Sequence, residues 1–508
     1  MIIDLKKLSK ENIVQSKICI IGGGTVGLFL ANKLKEVADV TVIEEGSEID
    51  QGFKNSNYVL NKSNYKLKGP GYHKKKFTLG GLSTIWGGQM IPPQKSDIQN
   101  RNYIGVKSWN IKFKEIYKYY KILSKSLKIR FLEKELFKLF GQNNKDKNFN
   151  LRFSVFLRKK KKNFYSFYKK QLKHHNLKIY TNAKVIKIIK AKNTNLIKKV
   201  IARSENTNTL TINADLTIIC CGTIESTRLL FLFNKFNKKY MKKNNTLGHF
   251  FCEQLSYVSA KLSIKDKRKF ILNFSPIYKY GLLHNPRLEL SSNFQKENKL
   301  PSAYYHLLPF QERRVNFQLK YLFNYFFFII TNIFNFLYFR IINKRLWFRR
   351  SQKILLLINI EQVPSVQNRI MIFSKKVQKK ESERLDINYK IQKKIFKDII
   401  FLNNCFKNYW IKSGFNKIAD IKFFKSSYEN IKKTLKITYH PSGTIRIGSN
   451  STNSSCDKNL KYWGINNLYI CSTAVFPSVG SSNTGFMLLV MASRLAYHIK
   501  KKIKNKKF

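Results

Sequence analysis

Residues 17–30, KICIIGGGTVGLFL, decide the fold. The apolar run before Gly22 reads as a short buried strand, Gly22–Gly24 as a tight turn, and the chain from Thr25 as the start of a helix. Residues 39–46, DVTVIEEG, read as the next strand, with Glu44 at its end. Together they make a βαβ unit of the kind that builds dinucleotide-binding sheets. The three glycines have separate mechanical roles. Gly22 makes the turn, Gly24 lets backbone approach a pyrophosphate, and Gly27 lets helix and strand pack closely. The N–H groups from Thr25 onward, with the positive end of the helix dipole, then face the phosphates. Glu44 follows the glycines by about 20 residues, where a carboxylate accepts bonds from ribose hydroxyls. A lone GxGxxG is a weak signal, but strand, helix and spaced acid around it point to a nucleotide cofactor. FAD and NAD share this fingerprint, so the choice between them falls to the rest of the chain.

Working outward, residues 79–91, LGGLSTIWGGQMI, form a glycine-rich segment with one aromatic, too irregular for strand or helix. Residues 213–230, NADLTIICCGTIESTRLL, read as a buried strand, a small-residue turn at Cys221-Gly222-Thr223, and a helix. Near the end come HPSGTIRIG (440–448) and GINNLYICSTAVFPSVGSSNTGFMLLVMASRLA (464–496). In this order the blocks resemble the glucose–methanol–choline oxidoreductase family. SWNIKFKEIYKYYKIL (108–123) is similar to that family's Trp-Pro-Ile…Tyr-Tyr segment, and LGHFFCEQ (247–254) and EQVPSVQNRI (361–370) are fainter likenesses. Most of 256–355 matches nothing recognisable.

The resemblance implies an α/β protein. An FAD-binding dinucleotide fold, three layers around a parallel sheet, is interleaved with an α+β substrate-binding domain. The FAD domain is expected from 1–105, 180–255 and 435–508, and the substrate domain from 106–179 and 256–434. Carried over position by position, FAD contacts fall on Gly22, Gly24, Thr25, Gly27, Glu44, Gly81, Ser83, Val185, Gly222, Ser472 and Thr484. The implied activity is FAD-dependent oxidation at a CH–OH carbon, as a dehydrogenase or an oxidase. The blocks GGLSTIWGG and VFPSVGSSN are most similar to those of sugar-acting members. A quinone, a carrier protein or O2 is the implied electron acceptor.

Such chemistry needs a base for the hydroxyl proton and a second hydrogen-bonding group that aims the hydroxyl. Of the eight histidines, only His440 lies in a small-residue motif, HPSGT, where backbone approaches a ligand. A turn histidine is most often a plain surface residue, but the resemblance makes His440 the catalytic base. The same resemblance puts Asn483 on the second catalytic position, with a helix N-cap as its bland alternative. After Asn483 the chain is apolar and ends in Lys500–Lys502, a buried helix with cations at its C-terminus and its N-terminus toward the flavin. Some departures from the family matter. Ile85 stands where pyranose oxidase-like members carry the histidine linked covalently to flavin, so FAD is expected to be non-covalent. Ser472 follows Cys471 where Asp is common, Thr484 replaces a common Pro, and Gln254 a frequent His.

The 508 residues allow more than one domain, and the net charge is +67, from 96 Lys+Arg against 29 Asp+Glu. That balance raises nucleic acid or an anionic membrane as a partner. The lysines, however, are spread through every segment with abundant Asn, Ile and Phe, a compositional bias more than a binding face, and no nucleic-acid motif is present. A basic binding protein that keeps this fold without turnover is the rival reading, and the His440/Asn483 pair speaks against it. Seven cysteines without a CxxC pair suggest neither a disulfide framework nor a metal site. The N-terminus lacks the apolar core of a signal peptide, which makes a cytoplasmic location, including the inner face of the membrane, the default. Residues 321–339, YLFNYFFFIITNIFNFLYF, approach the length of a membrane span. A single crossing there would put the glycine turn and His440 on opposite sides of a bilayer. A helix packed in the substrate domain or a peripheral anchor on a membrane surface is expected instead.

Overall fold

The computed structural model describes residues 1–55, 58–60, 74–139, 146–236, 246–310, 333–347, 353–377 and 380–505. Its first sheet is built on the βαβ unit at the N-terminus. The strand Glu11–Ile21 has two characters. Its first half alternates exposed and half-buried residues, while Ile18–Ile21 is buried on both faces. The buried half pairs in parallel with Val40–Ile43 on one side and with the end of Thr209–Ile219 on the other. Leu177–Thr181 and Ile2–Asp4 continue the parallel array outward, and Leu468–Ile470 extends it beyond Thr209–Ile219. The alternating half pairs in parallel with the start of Thr209–Ile219, next to the part of the sheet where the direction changes. There Thr209–Ile219, Ile197–Arg203 and Lys184–Lys190 run antiparallel. Continuous apolar runs thus sit where helices cover both faces, and alternation sits where one face meets water.

Thr25–Leu34 and Thr484–Lys504 pack against each other over the parallel strands, and Phe113–Leu127 packs on the latter. Gly222–Phe236 lies against Lys184–Lys190. The largest buried cluster joins Ile20, Phe29, Val42, Ile218, Tyr469 and Leu489, so residues from both ends of the chain share one core. Cys19 and Cys471 are buried within it as small apolar side chains.

A second sheet is antiparallel throughout, in the order Ala419–Phe423, Gln254–Ile264, Lys353–Glu361, Ala303–Phe310, Leu282–Leu290, Phe149–Phe156, Gln89–Met90. Its two faces differ. One carries Leu255, Ile360, Ala303, Tyr305 and Phe149 against the helix Lys393–Lys412, whose Phe406, Tyr409 and Trp410 fill the cluster beneath. The cross-strand partners on the other face are polar: Gln254 opposite Glu361, Ser256 opposite Asn359, and Tyr304 opposite both Asn359 and Glu289. Several of these are fully buried, because this face is turned to the first sheet's loops and not to water.

Among the described residues, no helix is long and apolar enough to cross a membrane. Residues 321–332 of the apolar stretch lie outside the described residues. Residues 333–337 are helical and exposed, so for them the packed-helix expectation does not hold, and only Phe339 in the following turn is buried.

Candidate active site

At the first βα turn Gly22 has φ +103°, a conformation glycine adopts without penalty. A Cβ on Gly27 would stand 1.8 Å from the Gly22 carbonyl oxygen, which fixes helix against strand. A Cβ on Gly24 would meet nothing within 4 Å, so open space lies over the turn. Gly24 also caps Thr25–Leu34 without a side-chain hydrogen bond, leaving first-turn N–H groups for a ligand. Glu44 closes Val40–Ile43, and its carboxylate accepts from Gly23 N at 2.7 Å and Gly46 N at 2.8 Å. Burial pushes its pKa up to about 7 in spite of those two bonds. Each oxygen retains lone pairs for a ribose hydroxyl. Val185 is buried near the start of Lys184–Lys190, two residues beyond Ala183, whose N–H bonds Glu44 O.

The glycine-rich loop lies directly over this turn. Gly80 N donates to Gly23 O at 2.9 Å, and a Cβ on Gly81 would be 3.0 Å from Gly24 Cα. Ser83 turns its hydroxyl to the chain around it. Its Oγ donates to Gly80 O at 2.6 Å and accepts from Phe164 N at 3.0 Å, so it braces the loop from inside. Further along, Trp86 rests against Gly485, where a Cβ would come within 2.6 Å of its ring, and its Nε1 donates to Lys162 O. The loop therefore runs from the phosphate turn to the N-terminus of Thr484–Lys504, with Ile85 exposed between. Gly222, at φ +72°, starts the helix Gly222–Phe236 with open space over it. Thr484 is buried as the first residue of Thr484–Lys504. Ser472 is buried beyond Leu468–Ile470, and its Oγ has no hydrogen-bond partner. An uncapped helix start, open space over Gly24 and Gly222, and an orphaned buried hydroxyl together fit a dinucleotide lying along the loop.

The HPSGT segment is pinned from several sides. Thr223 Oγ1 donates to Pro441 O at 2.6 Å, the hydroxyls of Thr227 and Thr444 meet at 2.7 Å, and Cys252 bridges Ser442. His440 N donates to Glu253 Oε2 at 2.8 Å. The ring's Nδ1 lies 2.9 Å from Thr438 Oγ1 and 3.2 Å from Gln254 Oε1. Their other bonds assign the proton. Gln254 Nε2 donates to Gly480 O at 3.3 Å, which leaves Oε1 facing the ring. Thr438 donates its only hydroxyl proton to Gln254 O at 3.0 Å. Nδ1 thus meets two acceptors and carries the hydrogen, and Nε2 keeps its lone pair. Burial pushes the ring's pKa down to about 4, so the imidazole is neutral near pH 7.

Gln254 ties His440 to the loop that ends in Asn483, and a buried ionic network holds that loop. Arg101 forks onto Glu361 and donates to Ser478 Oγ at 2.9 Å, and Glu361 Oε1 accepts from Gly480 N at 2.9 Å. Asp97 accepts from Ser481 N at 3.1 Å and Oγ at 3.0 Å, and Arg287 Nη2 donates to Ser481 O at 2.8 Å. Burial works to raise the Glu361 carboxyl, but Arg101 outweighs it and holds it below the usual range. Arg152 and Arg287 likewise overcome burial to hold Glu289 at about 2. Asp97, with less cationic help, is held high by burial. Asn483 has the backbone of an N-cap residue, but its side chain makes no capping bond, and Oδ1 has no partner. Arg287, which bonds Ser481 O, also stacks 4.0 Å from the centre of the Tyr304 ring, and Tyr304 belongs to a linked polar group in which Asn359 Nδ2 lies 2.8 Å from Tyr304 Oη and 3.2 Å from His306 Nε2.

Sequence reasoning does not find Glu253, Thr438, Asp97, Arg101 or Glu361 as parts of this arrangement. The faint likenesses at 247–254 and 361–370 are the signal that could reach Glu253 and Glu361, since both hold an acid and an amide side by side.

A dinucleotide turn, a covering loop and a neutral histidine tied through Gln254 to the loop before Asn483 are the parts of an FAD-dependent oxidoreductase. The family models agree: those for GMC oxidoreductases match at residues 143–232 and 374–492. The chain belongs to the GMC oxidoreductase family. Its fold is similar to that of formate oxidase from Aspergillus oryzae RIB40, with an R554A substitution. The TM-score is 0.56 at 14% identity, over 97% of this chain and 99% of that one. Pyridoxine 4-oxidase from Mesorbium loti gives a TM-score of 0.57 at 13% identity, over 95% and 98%. Comparison with curated protein sequences yields no match.

Proposed function

We propose that the protein oxidises an alcohol or sugar at a CH–OH carbon, with His440 as the base and Asn483 as its hydrogen-bonding partner. The observation that carries this reading is the pair of oxygens, from Thr438 and Gln254, that faces His440 Nδ1. Two acceptors fix the proton on Nδ1 and leave Nε2 bare and neutral, the state a base needs before it takes a hydroxyl proton. Asn483, with Oδ1 unclaimed at the head of its helix, is free to hold the same hydroxyl. Tyr304, Asn359 and His306 supply a hydrogen-bonding wall suited to a substrate with more than one hydroxyl. FAD, when bound, supplies the hydride acceptor.

The cofactor would be held by Gly22, Gly24, Thr25, Gly27, Glu44, Gly81, Val185, Gly222, Ser472 and Thr484, with Ser83 shaping the loop. Ile85 offers no nucleophile for a link to flavin, so attachment is non-covalent. Acid precipitation should leave the yellow colour in the supernatant, and colour in the pellet would overturn this point. The division into an FAD domain and a substrate domain is part of the proposal, and the two sheets support it. A screen of polyols and sugars, with an artificial acceptor and with O2 in parallel, tests the reading. Bleaching of the flavin by at least one hydroxylated substrate is expected. No bleaching by any alcohol, in protein that holds FAD, would defeat it.

A further inference from the structure

Among the described residues, exposed large apolar side chains mostly stand singly, as is ordinary for a protein surface. One segment differs. Ile333, Phe334, Phe336, Leu337, Ile341 and Ile342 fall within ten residues, each 41–69% exposed. Residues 333–337 project as helix, and Tyr338–Ile342 continues as a π-helical turn. The base is firmly joined to the second sheet's flank. Phe339 is buried, Arg345 N donates to Phe339 O at 2.7 Å, Tyr278 N donates to Lys344 O at 2.6 Å, and Leu346 N to Pro276 O at 2.9 Å. The projection is therefore anchored and not a frayed end.

Around the base stand aromatic rings and cations. Arg268 donates to Tyr338 Oη at 3.0 Å, Lys267 lies 4.9 Å from the centre of the Trp347 ring, and Arg340 stacks over Tyr278. Lys269 and Lys344 are exposed beside them. The nearby acid, Asp266, is engaged by the N–H of Lys269 as a helix cap. An apolar tip above a collar of Tyr, Trp, Lys and Arg matches the depth profile of a bilayer, from hydrocarbon to headgroup to phosphate. The whole chain's charge of +67 has the sign that an anionic leaflet attracts.

We infer that residues 333–342 are a peripheral anchor that inserts its apolar tip into an anionic lipid surface. Phe334, Ile341 and Ile342 enter the acyl region, and Lys267, Arg268 and Lys344 meet lipid phosphates. The inference is independent of the catalytic reading, since none of these residues belongs to the FAD or substrate machinery.

Flotation of the FAD-loaded enzyme with two kinds of vesicle tests it: phosphatidylcholine alone, and phosphatidylcholine mixed equally with phosphatidylglycerol. The wild type should float with the mixed vesicles and weakly with the neutral ones. The combined variant Phe334→Ser, Ile341→Ser, Ile342→Ser should lose more than about tenfold in partitioning while keeping its flavin and thermal midpoint. Should that variant fold poorly, Arg268→Gln with Lys344→Gln should weaken flotation on mixed vesicles and leave the neutral ones unchanged. A wild type that ignores both vesicles overturns the inference, and so does a serine variant that floats as well as wild type. A wild-type dimer that the serine variant dissociates would make this face a contact between two copies, and would equally overturn it.

Discussion

At the residue scale the proposed chemistry rests on one imidazole. His440→Ala should slow flavin reduction by about 10²–10⁴ while FAD stays bound, measured by stopped-flow absorbance. A rate within a few-fold of wild type would remove His440 from the chemistry. Its lowered pKa, about 4 against 6.5, sets the pH dependence. The ring protonates only below that value, so the reductive rate should be flat from about pH 5 to 8 and fall below. The stability sign follows from the same shift. The neutral buried ring contributes fully above about pH 6.5, and the contribution is lost as pH falls toward 4, because the unfolded chain takes up the proton first. Gln254 gives a second handle. Gln254→Glu places a carboxylate on Nδ1–H, favours the imidazolium, and should move the acid limb upward. Gln254→Leu removes that acceptor and should lower the rate without moving the limb upward. A limb unmoved by the glutamate would mean that Gln254 does not govern the ring. His440 and Asn483 stand out in the sequence as candidates because their motifs are local. Gln254 was legible only as a departure from the usual histidine, since its bond spans 186 positions and depends on strand register.

At the element scale the glycine turn separates binding from folding. Gly24 has ordinary φ, and a Cβ there meets nothing within 4 Å, so Gly24→Ala should leave the apoprotein's stability within about 0.5 kcal/mol. The added methyl occupies the space a pyrophosphate approaches, so FAD affinity should fall clearly in a titration followed by fluorescence. Gly27→Ala should do the reverse. Its methyl collides with the Gly22 carbonyl and should destabilise even the apoprotein by about 1–3 kcal/mol. Equal effects of the two substitutions on apoprotein melting would defeat the assignment of roles. The first sheet was readable because helices cover both faces of its parallel core, and unbroken apolar runs such as Ile18–Ile21 then announce themselves. The long strand's other half, which alternates and pairs with the start of Thr209–Ile219, could not be read from the glycine motif at all.

At the scale of the whole molecule, two sheets of different origin meet across the loop before Asn483, and charged side chains mediate the meeting. The sequence hid this, because strands such as Gln254–Ile264 alternate polar and apolar residues in the way a water-facing sheet does. Here the polar side faces protein. Arg101 and Glu361 are fully buried, 260 residues apart in sequence, and their pairing braces Ser478 and Gly480. Arg101→Met keeps the bulk and removes the charge. Glu361 and Asp97 then share a dry site without their cation, which should cost about 3–5 kcal/mol. The pH dependence distinguishes this from a packing defect. Without the guanidinium, burial raises the Glu361 carboxyl above its unfolded value, as it already raises Asp97. Stability of the variant should then fall as pH rises through the folded pKa, and part of it should return in mild acid, where the pair takes up a proton. Thermal midpoints at fixed FAD concentration, compared at about pH 5 and pH 8, should show the gap from wild type narrowing at the lower pH. A gap of constant size would point to lost packing alone, and an unchanged midpoint would mean that the pair does not hold the two sheets together.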